Sequence, residues 1–145
     1  MRILVIDDDP AVRHATQLLL ECEGFEVAVA GDGRSGLTAV RSKSFAVVIV
    51  DIFMPEMDGL ETIKALRAND SNLRIIAISG ALGPSGTPDF LAMATKLWGV
   101  RTLNKPFRPS DLMRTIGEVL ADTPDSEKPH EQREGISLTQ RGATA

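Results

Sequence analysis

The sequence has little cysteine, no long apolar run and no excess of positive charge. Cys22 is the single cysteine in 145 residues, so no disulfide can form within the chain, which is typical of a reducing compartment. No apolar run approaches the roughly 20 residues that cross a bilayer. The apolar start of the chain is too short for a signal peptide and meets three aspartates at once. These absences predict a cytoplasmic protein with no membrane partner.

The charge and the composition exclude further classes. The net charge is -4, whereas nucleic-acid-binding domains are usually basic, so we expect no nucleic-acid partner. The length allows one domain with a real hydrophobic core.

We expect Cys22 to be packed within a helix.

Strand and helix patterns alternate five times along residues 1–121. The predicted strands are residues 3–6, 25–30, 46–50, 74–78 and 100–103. Helices are predicted to follow them, beginning near Pro10, Gly33, Gly59, Thr87 and Ser110, the last with Ser110 as its cap. Short, wholly apolar strands joined by helices predict a doubly wound parallel α/β sheet with helices on both faces. We expect the flavodoxin-like (βα)5 type of this fold, whose strand order is 2-1-3-4-5.

The character of the chain changes after residue 121. Residues 122–145 are polar, charged and rich in Pro and Gly, with little apolar content. We predict one domain over residues 1–121, followed by a flexible tail that is too short to hold a separate effector domain.

Polar side chains follow four of the five predicted strands. Asp7 and Asp8 follow the first, Asp51 the third, Ser79 the fourth and Lys105 the fifth. Ligands of such folds bind beyond the carboxyl ends of the strands, near the point where the strand order reverses. We therefore expect these five side chains to meet at one edge of the sheet.

These residue types together favour phosphoryl chemistry. Three carboxylates brought together repel one another, so either some take up protons or a cation binds. A few carboxylates with several waters suit Mg²⁺. Lys105 can pair with a carboxylate or a phosphoryl oxygen, and Ser79 offers a hydroxyl donor. The set fits an aspartate that attacks phosphorus.

Four segments in order resemble a response-regulator receiver domain. The resemblance covers residues 1 to about 120 and is carried by residues 3–10, 51–59, 79–81 and 105–107, which read ILVIDDDP, DIFMPEMDG, SGA and KPF. It implies two-component signal transduction, in which Asp51 accepts a phosphoryl group from a phosphohistidine. It also implies that Ser79 and Lys105 assist the transfer.

The resemblance implies further site features and partners. Mg²⁺ would be held by Asp7, Asp8, Asp51 and the backbone carbonyl of Phe53, and the Lys105–Pro106 bond would be cis. The donor would be a sensor histidine kinase or a histidine phosphotransfer protein. A downstream protein would bind the face of the fourth helix, fifth strand and fifth helix, and a homodimer is possible. The chain would be no enzyme beyond catalysing its own phosphorylation and dephosphorylation.

Three positions depart from the family pattern. Thr102 stands where the family usually has Tyr or Phe, so coupling to the switch hydroxyl must use a smaller side chain or backbone motion. Phe53 and Ala81 lie where family members help set the lifetime of the acyl phosphate, and neither can orient a water. We expect slow self-dephosphorylation; if the phosphorylated form of a Phe53→Asn variant decays no faster than wild type, this expectation is wrong.

Two other functions are compatible with parts of the sequence. A Mg²⁺-dependent phosphatase of the haloacid dehalogenase type uses an Asp-x-Asp motif after its first strand, and Asp7-Asp8-Asp9 contains one. That function leaves Asp51 unexplained, and the chain lacks a cap domain. The other alternative is a degenerate receiver that serves only as a scaffold, against which the retained Asp51 and Lys105 count.

Overall fold

A computed structural model describes residues 1–52, 54, 58–79, 95 and 99–122 of the chain. Their strands are β1 (Arg2–Ile6), β2 (Glu26–Ala30), β3 (Val47–Asp51), β4 (Ile75–Ser79) and β5 (Arg101–Asn104). Their helices are α1 (Pro10–Cys22), α2 (Gly33–Ser42), α3 (Gly59–Asn69) and α4 (Pro109–Ala121). The strands form one parallel sheet in the order β2-β1-β3-β4-β5, which confirms the predicted fold class.

Two parts of the sequence prediction lie largely outside the described residues. The helix expected over residues 87–97 is described only at Thr95, which is helical. The helix predicted as the fifth is therefore the one labelled α4. Residues 123–145, which hold nearly all of the predicted tail, also lie outside the described part.

The central strands are buried because helices cover both faces of the sheet. On one face, Leu4 and Ile6 of β1 pack in a cluster with Ile63 and Leu66 of α3. On the other face, the alternate β1 residues pack in a second cluster with Leu20 of α1 and with Leu112 and Ile116 of α4. All residues of β3 and β4 are buried, as expected for parallel strands with two covered faces.

Of the residues predicted to cap or begin helices α1 and α4, Asp9 and Pro10 are confirmed and Ser110 is not. Asp9 caps α1 by accepting the N–H groups of Ala11 and Val12, and Pro10 opens the helix as predicted. Ser110 was predicted to cap the last helix, and that is wrong: α4 begins at Pro109. Proline suits the first helical position because it has no N–H to leave unpaired.

Cys22 was also predicted wrongly. It is exposed rather than packed, since Leu20 is the buried residue at this end of α1.

No helix within the described ranges is long and apolar enough to cross a membrane.

The start of α4 leads to a pH-dependent prediction. The Asp111 carboxylate accepts the Arg108 backbone N–H at 3.0 Å and a bond from Arg114 at 3.2 Å. These bonds, the first foremost, lower the pKa of Asp111 below its ordinary value of 3.8. Its contribution to stability is therefore present above that value and is lost as the pH falls through the folded-state pKa.

Replacing Asp111 with alanine is accordingly expected to lower the melting temperature at pH 7, by an amount that shrinks as the pH falls below about 3.8. Thermal unfolding monitored by circular dichroism across this range measures it. Ser110→Ala is the control, and its melting temperature should be unchanged or slightly higher. A difference for Asp111→Ala that is the same at pH 7 and pH 2.5 would contradict the prediction.

Candidate functional site

The acidic side chains of the site come from the ends of two neighbouring strands. β1 and β3 pair in parallel, so the chain emerges from both at the same edge of the sheet. Asp7 follows β1 directly, and Asp51 is the last residue of β3. Both are buried, with 6% and 7% of their surface exposed, whereas Asp8 is more open to solvent.

Asp7, Asp8 and Asp51 form a cluster that could hold a metal ion. One carboxylate oxygen from each lies within 4.8 Å of the others. Carboxylate oxygens are the ligands of hard divalent ions, and three carboxylates with room for water suit Mg²⁺ better than the larger ligand set of Ca²⁺. The donors present therefore fit the cofactor that the sequence predicts. Phe53, whose carbonyl was predicted as a further ligand, lies outside the described residues.

Lys105 brings a positive charge to this cluster. Its Nζ lies 3.4 Å from Asp51 Oδ2 and 3.5 Å from Asp7 Oδ2. Three carboxylates beside one ammonium group leave an excess of negative charge, which a divalent cation would offset. The Lys105–Pro106 peptide bond is cis, as the family resemblance implied.

The backbone holds Lys105 beside Ser79. Ser79 is the buried last residue of β4, and its carbonyl accepts the Lys105 N–H at 2.8 Å. The predicted side chains at the ends of four strands are thus all at one edge of the sheet. Thr102 lies on β5, opposite Ala77 of β4, and is half-buried.

Gly59, the first residue of α3, lies against the backbone at the end of β3. The Gly59 N–H donates to the Ile52 carbonyl at 2.8 Å. A Cβ at Gly59 would collide with the backbone oxygen of Asp51 and with Cα of Ile52. Asp58 caps α3 in a reciprocal pair with Glu61. Gly59 therefore permits a close approach of α3 to the backbone that carries the acceptor candidate.

Asp9 is separate from the carboxylate cluster in its role. Its side chain caps α1, and its own N–H donates to Asp7 Oδ1 at 2.9 Å. The second acid of the Asp-x-Asp pattern is thus engaged as a helix cap, which weighs against the phosphatase alternative.

Arg13 is a further residue beside the acidic cluster that was not predicted from the sequence. Its Nη1 donates to the backbone carbonyl of Asp7 at 2.8 Å. Nothing in the residue order marks this arginine, because the bond links a side chain on α1 to a carbonyl past the end of β1. Only the packing of the helix against the strand brings the two groups together.

Comparisons with known proteins agree with this architecture. Residues 3–117 match the family described as response regulator receiver domain. The DNA-binding response regulator MtrA of Mycolicibacterium smegmatis is 34% identical over 95% of this chain and 65% of its own length. The transcriptional regulatory protein FixJ of Bradyrhizobium diazoefficiens is 36% identical over 79% of this chain and 54% of its own length. This chain thus spans about half to two thirds of these relatives.

Solved structures give the same result. The Vibrio cholerae chemotaxis protein CheY4 superposes with a TM-score of 0.72 at 30% identity, over 81% of this chain and 97% of that one. A CheY-like receiver domain protein from Methanospirillum hungatei superposes with a TM-score of 0.74 at 29% identity, over 82% and 92% of the two chains. With the family match covering most of the sequence, the chain belongs to the response regulator receiver domains of two-component systems.

Proposed function

We propose that the chain is a phosphorylation switch in which Asp51 accepts a phosphoryl group in a Mg²⁺-dependent reaction. The observation that carries this proposal is the contact of one ammonium group, Lys105 Nζ, with both Asp51 and Asp7, inside a cluster of three carboxylates. The donor is a phosphohistidine of a sensor histidine kinase or of a histidine phosphotransfer protein.

The reaction follows from these groups. An Asp51 carboxylate oxygen attacks phosphorus, the bond from phosphorus to the imidazole nitrogen breaks, and the imidazole leaves with that electron pair. Mg²⁺ held by Asp7, Asp8 and Asp51 would neutralise charge on the phosphoryl oxygens. Lys105 moves from a carboxylate partner to a phosphoryl oxygen, and the Ser79 hydroxyl donates to another.

In this proposal the chain acts on no substrate other than the phosphodonor. It catalyses its own phosphorylation and dephosphorylation and is otherwise not an enzyme. The output passes to a protein partner or through a homodimer. The partner would bind the face formed by the helix predicted over residues 87–97 together with β5 and α4. The net charge of -4 supports a protein rather than a nucleic-acid partner, and a cytoplasmic location fits the single cysteine.

Intact mass spectrometry tests this function. The protein is incubated with Mg²⁺ and acetyl phosphate, and a single phosphoryl adduct is expected. Asp51→Asn should abolish the adduct because the amide is no nucleophile toward phosphorus. Asp70→Asn changes an exposed carboxylate beyond the end of α3 and should leave it intact.

Other outcomes point to the alternatives. Release of inorganic phosphate without an adduct, lost in Asp7→Asn, would replace the switch with a phosphatase. Neither adduct nor turnover in the presence of Mg²⁺ would indicate a degenerate receiver that acts as a scaffold.

A further inference from the structure

Arg13 reaches the loop that carries the acidic pair Asp7–Asp8, although it lies on a helix. The residue closes the first turn of α1 and is half-buried. Its position is fixed by its own backbone N–H, which donates to the Asp9 carbonyl at 2.9 Å. The guanidinium Nη1 then donates to the Asp7 carbonyl at 2.8 Å. A single helix turn thus connects Arg13 back to the residues just before it.

Gly31 leaves the space that the guanidinium occupies. It follows β2 directly, beside the end of β1, where the Asp7 N–H donates to the Ala30 carbonyl at 3.1 Å. A Cβ at Gly31 would lie 3.2 Å from Arg13 Nη1, which is tighter than ordinary contact. A side chain at position 31 would therefore crowd the Arg13 guanidinium, and glycine avoids this.

The other polar groups of Asp7 are held as well. Its N–H pairs with Ala30, Oδ1 accepts the Asp9 N–H at 2.9 Å, and Oδ2 lies 3.5 Å from Lys105 Nζ. The carbonyl lies beyond the last β1 residue that pairs with β3. Arg13 supplies a partner for this group, which belongs to the peptide that joins Asp7 to Asp8. Holding that peptide fixes the direction in which the Asp8 side chain leaves the backbone.

Arg13 and Lys105 act on the acidic cluster in different ways. Lys105 contacts carboxylate oxygens, which are the atoms that would bind a metal ion. Arg13 instead contacts a backbone oxygen, so its bond leaves the carboxylate oxygens to a cation. Groups that orient metal ligands in this way commonly change metal affinity about tenfold to a hundredfold when they are removed.

We infer that Arg13, seated against Gly31, is a positioning residue that sets the Mg²⁺ affinity of the receiver by fixing the Asp7–Asp8 peptide. This inference rests on the proposed function, since it requires that the acidic cluster binds Mg²⁺. Arg13 touches neither the phosphoryl group nor the metal in this role.

Calorimetric titration of the full chain with Mg²⁺ tests the inference. Arg13→Met is expected to raise the dissociation constant about tenfold. Arg13→Lys keeps a donor and should recover part of the loss. Arg34→Met is the matched control, because Arg34 is an exposed arginine in the first turn of α2 at the same edge of the sheet. It removes the same charge without touching Asp7 and should leave the constant within twofold of wild type.

Phosphorylation kinetics add a readout that a merely structural role would not move. With acetyl phosphate as donor, Arg13→Met should raise the half-saturating Mg²⁺ concentration about tenfold. The rate at saturating Mg²⁺ should return to within about threefold of wild type, because the reacting groups are untouched. Gly31→Ala provides a second variant if Arg13→Met does not fold. Its displaced guanidinium should give a smaller rise in the same direction.

The outcomes separate this inference from the proposed function. If wild type binds Mg²⁺ and both Arg13→Met and Gly31→Ala bind it equally well, Arg13 has only a structural role and the inference is wrong. A loss of the saturating rate with unchanged Mg²⁺ affinity would also overturn it. If wild type shows no Mg²⁺ binding, the proposed function fails and this inference fails with it.

Discussion

Replacing Lys105 with methionine is expected to slow phosphorylation of Asp51 by acetyl phosphate about 100-fold or more. Lys105 Nζ lies 3.4 Å from Asp51 Oδ2, so it can follow negative charge from the carboxylate to the transferring phosphoryl group. Removing one such donor from an active site commonly costs two to three orders of magnitude in rate. Methionine keeps much of the length and the apolar stem of lysine and removes the charge with its hydrogen-bond donors.

The measurement is the rate of adduct formation at saturating Mg²⁺. Lys64→Met is the matched control, because Lys64 is exposed on α3, and its rate should equal that of wild type. Mg²⁺ should bind Lys105→Met at least as tightly as wild type, since the ammonium group contacts the same Asp7 and Asp51 oxygens that a cation would use. A Lys105→Met rate within tenfold of wild type would show that this contact does not assist the transfer.

Replacing Gly59 with alanine is expected to destabilise the protein by about 3 kcal/mol. Alanine within a helix normally stabilises relative to glycine by roughly 0.5–1 kcal/mol. Here the added Cβ would meet the backbone of Asp51 and Ile52. Backbone atoms held in a sheet cannot move aside as a flexible side chain can, so overpacking reverses the sign.

Gly117 offers a matched control for this substitution. It is a helical glycine of α4, and a Cβ there would meet nothing within 4 Å. Gly117→Ala should raise the free energy of unfolding in urea by about 0.5–1 kcal/mol. If Gly59→Ala were also stabilising, the close approach of α3 to the Asp51 backbone would not hold. If Gly59→Ala destabilises the protein as expected, the molecules that remain folded should also accept a phosphoryl group on Asp51 more slowly, because the added Cβ displaces the Asp51 backbone.

Much of the site could be predicted because it depends on the order of elements along the chain. Asp7 follows an apolar strand, as Asp51 and Ser79 were also expected to do, and parallel strands bring such residues to one edge. The ends of β3 and β4 were predicted one residue too early. Asp51 and Ser79 are the last residues of their strands rather than the first residues after them. Pairing with a neighbour, such as Asp51 opposite Ile78, determines where a strand ends.

Two predictions made from local sequence were wrong, at Ser110 and at Cys22. Ser110 is a good capping residue by type, yet Pro109 opens α4 and the Asp111 carboxylate bonds back to Arg108. Cys22 was expected to be packed within a helix but lies on the exposed side of α1. Which side of a short helix meets the sheet depends on its packing angle, which periodicity alone does not give.

The alternation of strands and helices and the chemical types at the strand ends could be predicted from the order of residues alone. These follow from hydrophobic patterns, capping residues and four motifs, all of which are local properties. Which groups touch could not be predicted in this way: Lys105 contacts both Asp7 and Asp51, Arg13 bonds to the Asp7 carbonyl, and Gly59 lies against the Asp51 backbone. Each contact depends on how a helix or loop packs against the strand ends, even where, as for Arg13 and Asp7, the two residues are only six positions apart.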